Sequence, residues 1–109
     1  YAAMQKRLRS PADFTAVFAI ADDMAIGAMR ALRESGRSVP SDCSVIAIDG
    51  ISVSEYIHPM LTTLCQPMTA MGETSVGILL DIIEGRSGHR HVTLPTELRK
   101  GASVQRPHQ

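Results

Sequence analysis

Apolar positions along the chain alternate between short β-branched runs and one-sided stripes. Phe14 to Ala21 is almost continuously apolar and stops at two carboxylates, Asp22 and Asp23. A run this continuous reads as a parallel strand buried on both faces. Met24, Ala25, Ala28, Met29 and Leu32 then recur at helical spacing, with Arg30, Arg33 and Glu34 facing out and Gly36 as a C-terminal stop. Asp22 is placed as the N-cap of this helix, and Asp23 adds favourable charge to its first turn. A polar linker, 37–42, carries Pro40 and leads into Ser44-Val45-Ile46-Ala47-Ile48, a second apolar run of strand length. Strand, helix and strand within about 35 residues make a βαβ unit. Such units are parallel and right-handed, so the loops after the two strands, Ala21-Asp22 and Asp49-Gly50, share one edge of the sheet. Both acidic turns are therefore expected to face one crevice.

Residues 50–61 read as irregular, with one possible helical turn between Val53 and Ile57, and Thr62-Thr63-Leu64 as a brief extended segment. Pro67 suits the first turn of a helix over 67–84, with Met68, Met71, Ser75, Leu79, Ile82 and Ile83 on the helical repeat and Gly85 ending it. Val76, Ile78 and Leu80 widen the stripe, so this helix needs covering on more than one side. The remaining elements supply little such cover. Two short extended pieces, His91 to Leu94 and Thr96 to Arg99, precede a tail expected to fray. The opening Tyr1 to Arg9 reads as the tail of a helix rather than a natural start, and the chain is expected to be a fragment.

Composition narrows the function classes. The 109 residues are 44% hydrophobic and 20% charged, a globular balance. Folding can bury about 65% of the surface of a chain this size, enough for one modest core. Eleven Lys plus Arg balance eleven Asp plus Glu, so no global charge favours a polyanion or a membrane surface, and no DNA-binding footprint lies in this stretch. Cys43 and Cys65 lack a CxxC pairing and fit idle thiols of a reducing compartment. The apolar runs are too short to span a bilayer and no secretory leader opens the chain, so neither membrane insertion nor secretion is expected. GxSxG, GxxxxGK[ST], GxGxxG and HExxH motifs are all absent, so no catalytic residue and no cofactor are assigned. His89-Arg90-His91 offers two imidazoles in a Gly-flanked turn, a weak metal signal that reads as solvated surface. The methionines Met4, Met24, Met29, Met60, Met68 and Met71 read as core filler, with Met68 a candidate for an apolar ligand face.

Asp49 has two readings on pattern alone. A carboxylate at the carboxyl end of a parallel strand can accept two hydroxyl hydrogen bonds from a polyol, and Asp-Gly is also an ordinary turn. Asp22 carries the same ambiguity, with the capping role favoured.

A resemblance decides between them. Thr15-Ala16-Val17-Phe18-Ala19, Asp22-Asp23-Met24-Ala25-Ile26-Gly27-Ala28, Gly36-Arg37-Ser38-Val39-Pro40, Ser44-Val45-Ile46 and Pro59-Met60-Leu61-Thr62-Thr63-Leu64 resemble, in order and spacing, the LacI/GalR family of bacterial transcription regulators. The match continues through Gln66-Pro67, Met71-Gly72-Glu73-Thr74-Ser75 and Leu94-Pro95-Thr96-Glu97-Leu98, covering 14–100. It implies an α/β fold, with parallel βαβ units of a two-lobe domain like that of periplasmic binding proteins, here the C-terminal fragment. Residues 1–65 would belong to the C-terminal lobe, 66–95 to the other lobe, and 96–109 to a return crossing and tail.

The resemblance also implies roles. Asp49 matches an aspartate that hydrogen-bonds effector hydroxyls, and Ala21, Asp22, Gln66 and Met68 fall at effector-side positions. Ala21 stands where many members carry a sugar-contacting Asn, and Ala47-Ile48-Asp49-Gly50 departs from the usual Gly-Tyr/Phe-Asp-Asp/Asn ending. Ile26, Met29, Tyr56 and Ile57 match segments of the family's homodimer interface. The implied protein is a cytoplasmic, dimeric sensor of a small sugar-like or nucleoside-like molecule that meets operator DNA through a helix-turn-helix outside this chain. A periplasmic sugar receptor of a transport system, built on the same two-lobe fold, is the alternative.

Overall fold

The computed structural model describes residues 1–10, 13–86 and 91–106. The elements, in order, are α1 (Ala2–Leu8), β1 (Ala16–Phe18), α2 (Asp22–Glu34), β2 (Ser44–Asp49), a 3-10 turn (Ser52–Glu55), β3 (Thr62–Cys65), α3 (Met68–Ile83) and β4 (Glu97–Arg99). The four strands form one sheet in the order β1-β2-β3-β4. β1, β2 and β3 are parallel, with Val17 beside Val45 and Ile46 beside Thr62, while β4 runs antiparallel to β3. This is the α/β architecture that the βαβ pattern implies.

The core lies on one face of the sheet. Side chains alternate across a strand, so Ala19, Val45 and Ala47 point to the same side and meet Ala25, Met29 and Leu32 of α2. Cys43 and Leu61 close this cluster, with Met4 and Leu8 of α1, Phe14 and Val17 packed against it. The guanidinium of Arg37 stacks on Phe14 at 4.4 Å and donates to the Phe14 carbonyl, fixing the entry to β1. Burial raises the Cys43 thiol pKa above its ordinary value, which keeps it protonated and unreactive at neutral pH.

Several local expectations are corrected. The apolar run from Phe14 gives a strand of only three residues, at the edge of the sheet and not buried on both faces: Phe18 is 60% exposed and Ile20 is 70% exposed. Helix α3 begins after Pro67, which is its N-cap, one residue later than expected. Residues 91–94 form no strand. Of the methionines read as core, Met29 is buried and Met4 packs beside it, whereas Met24, Met68 and Met71 are exposed. His89 and Arg90 lie outside the described residues.

The expected frayed tail is instead built into the sheet. Ser103 is fully buried; its Oγ donates to the Val45 carbonyl at 2.6 Å and accepts the Thr62 amide at 2.8 Å. Its carbonyl accepts the Val45 amide at 2.7 Å, and Gln105 exchanges two bonds with Ser44 Oγ. Gly101 lets the tail approach: a Cβ there would lie 2.2 Å from the Met60 carbonyl oxygen.

Helix α3 stands apart from this core. It contributes no buried residue, and the molecule measures 58 × 26 × 25 Å. Its radius of gyration is 18.2 Å, against about 13 Å for a compact chain of this length. Gly101→Ala in the full-length protein is expected to lower stability by about 1–3 kcal/mol, the range for forcing atoms into filled space. Urea unfolding measures it, and an unchanged midpoint would mean that the tail packs more loosely than described.

Candidate functional site

The site is assembled where β2 and β3 end and α2 begins, the crevice at the carboxyl edge of a parallel sheet. Two aspartates meet there, and Asp22 exchanges hydrogen bonds with Asp49 and the two residues after it. The Asp22 backbone amide, at the start of α2, donates to Asp49 Oδ2 at 3.3 Å. In return, Asp22 Oδ2 accepts the amides of Gly50 and Ile51, each at 3.0 Å. The Asp22 carboxylate also accepts Ser54 Oγ at 3.0 Å and Thr63 Oγ1 at 2.5 Å. It is completely buried, and no cation pairs with it among the described residues. A buried carboxylate is costly unless its oxygens are saturated with donors, and four donors from the loop, the turn and β3 meet that need.

This corrects the capping assignment. The N-cap of α2 is Ala21, in extended conformation, and it makes no side-chain cap. Asp23 supplies a first-turn acceptor instead, taking the Met24 amide at 2.7 Å. Asp49 acts on the same helix end from β2, placing negative charge against the positive end of the helix dipole. Asp22 lies beneath the crevice as a tether for the Asp49 loop, and is closed to contact from outside.

Asp49 itself is half-buried and has φ +142°, a conformation unfavourable for a residue with a Cβ. Such strain costs about 1–3 kcal/mol and persists where surrounding bonds over-determine it. Those bonds are present: Gln66 Nε2 donates to Asp49 Oδ1 at 2.7 Å, and the Gln66 amide to the Asp49 carbonyl at 3.0 Å. The next residue, Gly50, has φ +80°, and a Cβ on it would lie 2.6 Å from Cys65 Sγ. Glycine is therefore required at this position.

Asp49, Gln66 and Met68 line one open cleft of about 710 Å³, together with Gly50, Ile51, Pro67, Thr69 and Ala70. Of the five effector-side candidates, the structure brings these three to the cleft, while Ala21 and Asp22 lie outside its lining. Ile26, Met29 and Ile57 gather in a second groove of about 570 Å³ lined also by Arg30, Arg33 and His58. Tyr56 is 84% exposed. Sequence reasoning gave no role to Ser54, Thr63 or Arg99. Thr63 carried a faint signal, a hydroxyl inside an apolar strand; Ser54 and Arg99 carried none. Among the described residues no cluster of three or more His, Cys, Asp or Glu side chains could hold a metal.

Three parallel strands, a strand-end carboxylate against a helix amino end and a long helix standing clear of the core define an α/β unit with an open cleft at the carboxyl edge of its sheet. A family model described as a periplasmic binding protein-like domain matches residues 1–104. The HTH-type transcriptional regulator MalR of Clostridium butyricum is 42% identical over 98 residues, 90% of this chain and 29% of that protein. The lactose operon repressor of Rhizobium radiobacter is 41% identical over 92 residues, 84% of this chain and 81% of that sequence. Among solved structures, a dimeric Lac repressor with an 11-residue C-terminal deletion superposes with TM-score 0.90 at 34% identity, over 99% of this chain and 40% of that one. A LacI family regulator from Enterococcus faecium with bound ribose gives TM-score 0.82 at 40% identity, over 95% and 38%. The chain belongs to the LacI/GalR family of transcriptional regulators, within its periplasmic-binding-protein-like domain. It spans under a third of MalR and about two-fifths of the two solved chains.

Asp22→Ala in the full-length protein is expected to lose about 3 kcal/mol or more, because the Gly50 and Ile51 amides each lose their acceptor at about 1–3 kcal/mol per unsatisfied buried donor. Chemical denaturation checks this, and a loss below about 1 kcal/mol, the scale of a surface change, would refute the tether.

Proposed function

We propose that this chain is the C-terminal part of the effector-binding and dimerisation domain of a DNA-binding transcriptional regulator. In this reading Asp49 is the hydrogen-bond acceptor for a small sugar-like or nucleoside-like effector, with Gln66 and Met68 beside it and Ala21 at the helix mouth. The observation that carries it is the state of the Asp49 carboxylate. It accepts two hydrogen bonds, from Asp22 and Gln66, whereas a carboxylate offers about four acceptor sites. Two remain for ligand hydroxyls, on a group already held in place. The ribose bound by the Enterococcus faecium relative is a polyol of this kind.

Regulator names among the relatives support this reading over a transport receptor. A regulator works beside DNA, in the cytoplasm, consistent with two free cysteines. No helix among the described residues is long and apolar enough to cross a membrane. No catalysis is assigned; the work is binding, with effector shifting the population of a two-lobe domain and hence operator affinity. The segment around α3 would belong to the second lobe, entered at Gln66-Pro67 and left near Pro95, which accounts for its lack of buried residues. Operator DNA would be met by a helix-turn-helix elsewhere in the protein. The dimer would form through the groove of Ile26, Met29 and Ile57 with the exposed Tyr56.

Asp49→Ala in the full-length protein tests the site. Losing two bonds to a charged acceptor, at about 1.5–3 kcal/mol each, should weaken sugar affinity by about 100-fold or more. Calorimetry against D-ribose, lactose and cellobiose measures this, and operator affinity in effector-free buffer should change less than about three-fold, under 1 kcal/mol. Undiminished effector response in the variant would remove Asp49 from the site.

A further inference from the structure

Arg99 ends β4, on the strand to which the chain returns after α3, and its guanidinium reaches across to the 3-10 turn. Nη1 donates to Glu55 Oε1 at 2.5 Å, and Nη2 donates to the Ile51 carbonyl at 3.2 Å and to Ser54 Oγ. The side chain is only 20% exposed. The turn it holds has little apolar packing to fix it: Ser52, Val53, Glu55 and Tyr56 are all exposed, and Ser54 alone is buried. A segment with few buried apolar contacts opens readily unless polar bonds hold it.

The chemistry of Ser54 gives the arginine its importance. A hydroxyl has one proton to donate, and Ser54 Oγ has two acceptors in reach, the Ile51 carbonyl at 2.7 Å and Asp22 Oδ2 at 3.0 Å. Arg99 donates both to the Ile51 carbonyl and to the serine oxygen, so it competes with the serine for that carbonyl and favours the charged Asp22 carboxylate as the acceptor of the serine proton. Asp22 in turn holds the Gly50 and Ile51 amides, and its backbone amide reaches Asp49.

We propose that Arg99 is a positioning residue for the effector site, holding the loop after Asp49 through Ser54 and Asp22. Its functional meaning rests on the reading of Asp49 as the ligand acceptor. Both ends of the α3 segment thus converge on one loop. Gln66, before the helix, bonds the Asp49 side chain; Arg99, after it, bonds residues 51, 54 and 55. Displacement of α3 relative to the sheet reaches the Asp49 loop through both connections.

Hydrogen exchange by mass spectrometry on the full-length protein tests the tether without any ligand. Arg99→Met is expected to speed exchange in peptides covering 50–56 by about ten-fold or more, the factor for one lost bond to a charged group. Peptides covering 28–34 of α2 should be unchanged. Ser54→Ala should produce the same acceleration, with Arg99→Met adding less than about two-fold to it, as residues in one chain of bonds are non-additive. Arg99→Lys, which retains charge and a donor, should recover part of the protection and serves if Arg99→Met does not fold. Unchanged exchange at 50–56, equal acceleration in α2, or full additivity with Ser54→Ala would overturn the proposal. With whichever of D-ribose, lactose or cellobiose binds the wild type, Kd should rise about five-fold or more in Arg99→Met, the effect of about 1 kcal/mol. An unchanged Kd beside accelerated exchange would overturn the link to the site. Failure of the Asp49 reading shows separately, as sugar binding that survives Asp49→Ala.

Discussion

The arrangement depends on a carboxylate with no cation against it among the described residues. Asp22 is fully buried at the start of α2, and its charge is stabilised by two backbone amides and two hydroxyls from three separate segments. Removing any of those donors would leave a poorly solvated anion, so the β2-to-turn loop, the turn and β3 are held to one geometry. The Asp49 backbone, strained at φ +142°, persists inside that geometry because bonds on either side of it oppose relaxation. The buried aspartate sets the frame, and the half-buried one is left with acceptor capacity to spare.

The same frame joins regions that the chain keeps far apart. Loop 50–57 runs from the cleft lined by Gly50 and Ile51 to the groove lined by Ile57. The returning strand β4 grips its middle through Arg99. The 3-10 turn between cleft and groove is exposed on most of its surface, so polar bonds, and not apolar packing, decide its position.

Uncovered apolar surface follows from the same division. The inward face of β1 and β2 packs against α2, while Phe18 and Ile20 of the opposite face remain exposed, as do Leu79, Ile82 and Ile83 of α3. An exposed apolar face of this extent is usual at interfaces between lobes or subunits, in keeping with a chain that spans 29% of MalR.

Local pattern determined a good deal. Short β-branched runs and helical repeats located β2, α2, β3 and most of α3, because strand and helix patterning depends on neighbours within a few residues. The handedness of βαβ units then placed Asp22 and Asp49 at one edge, where the structure joins them. The local pattern misled where burial depends on distant parts of the fold: Phe14 to Ala21 has core composition but forms an edge strand, and 101–106 has tail composition but carries the buried Ser103. Which aspartate would be buried and which left open, and that Arg99 would reach Ser54, were decided only by tertiary structure. Those bonds join residues 27 to 45 positions apart, and no local signal in a polar residue specifies which distant donor will satisfy it.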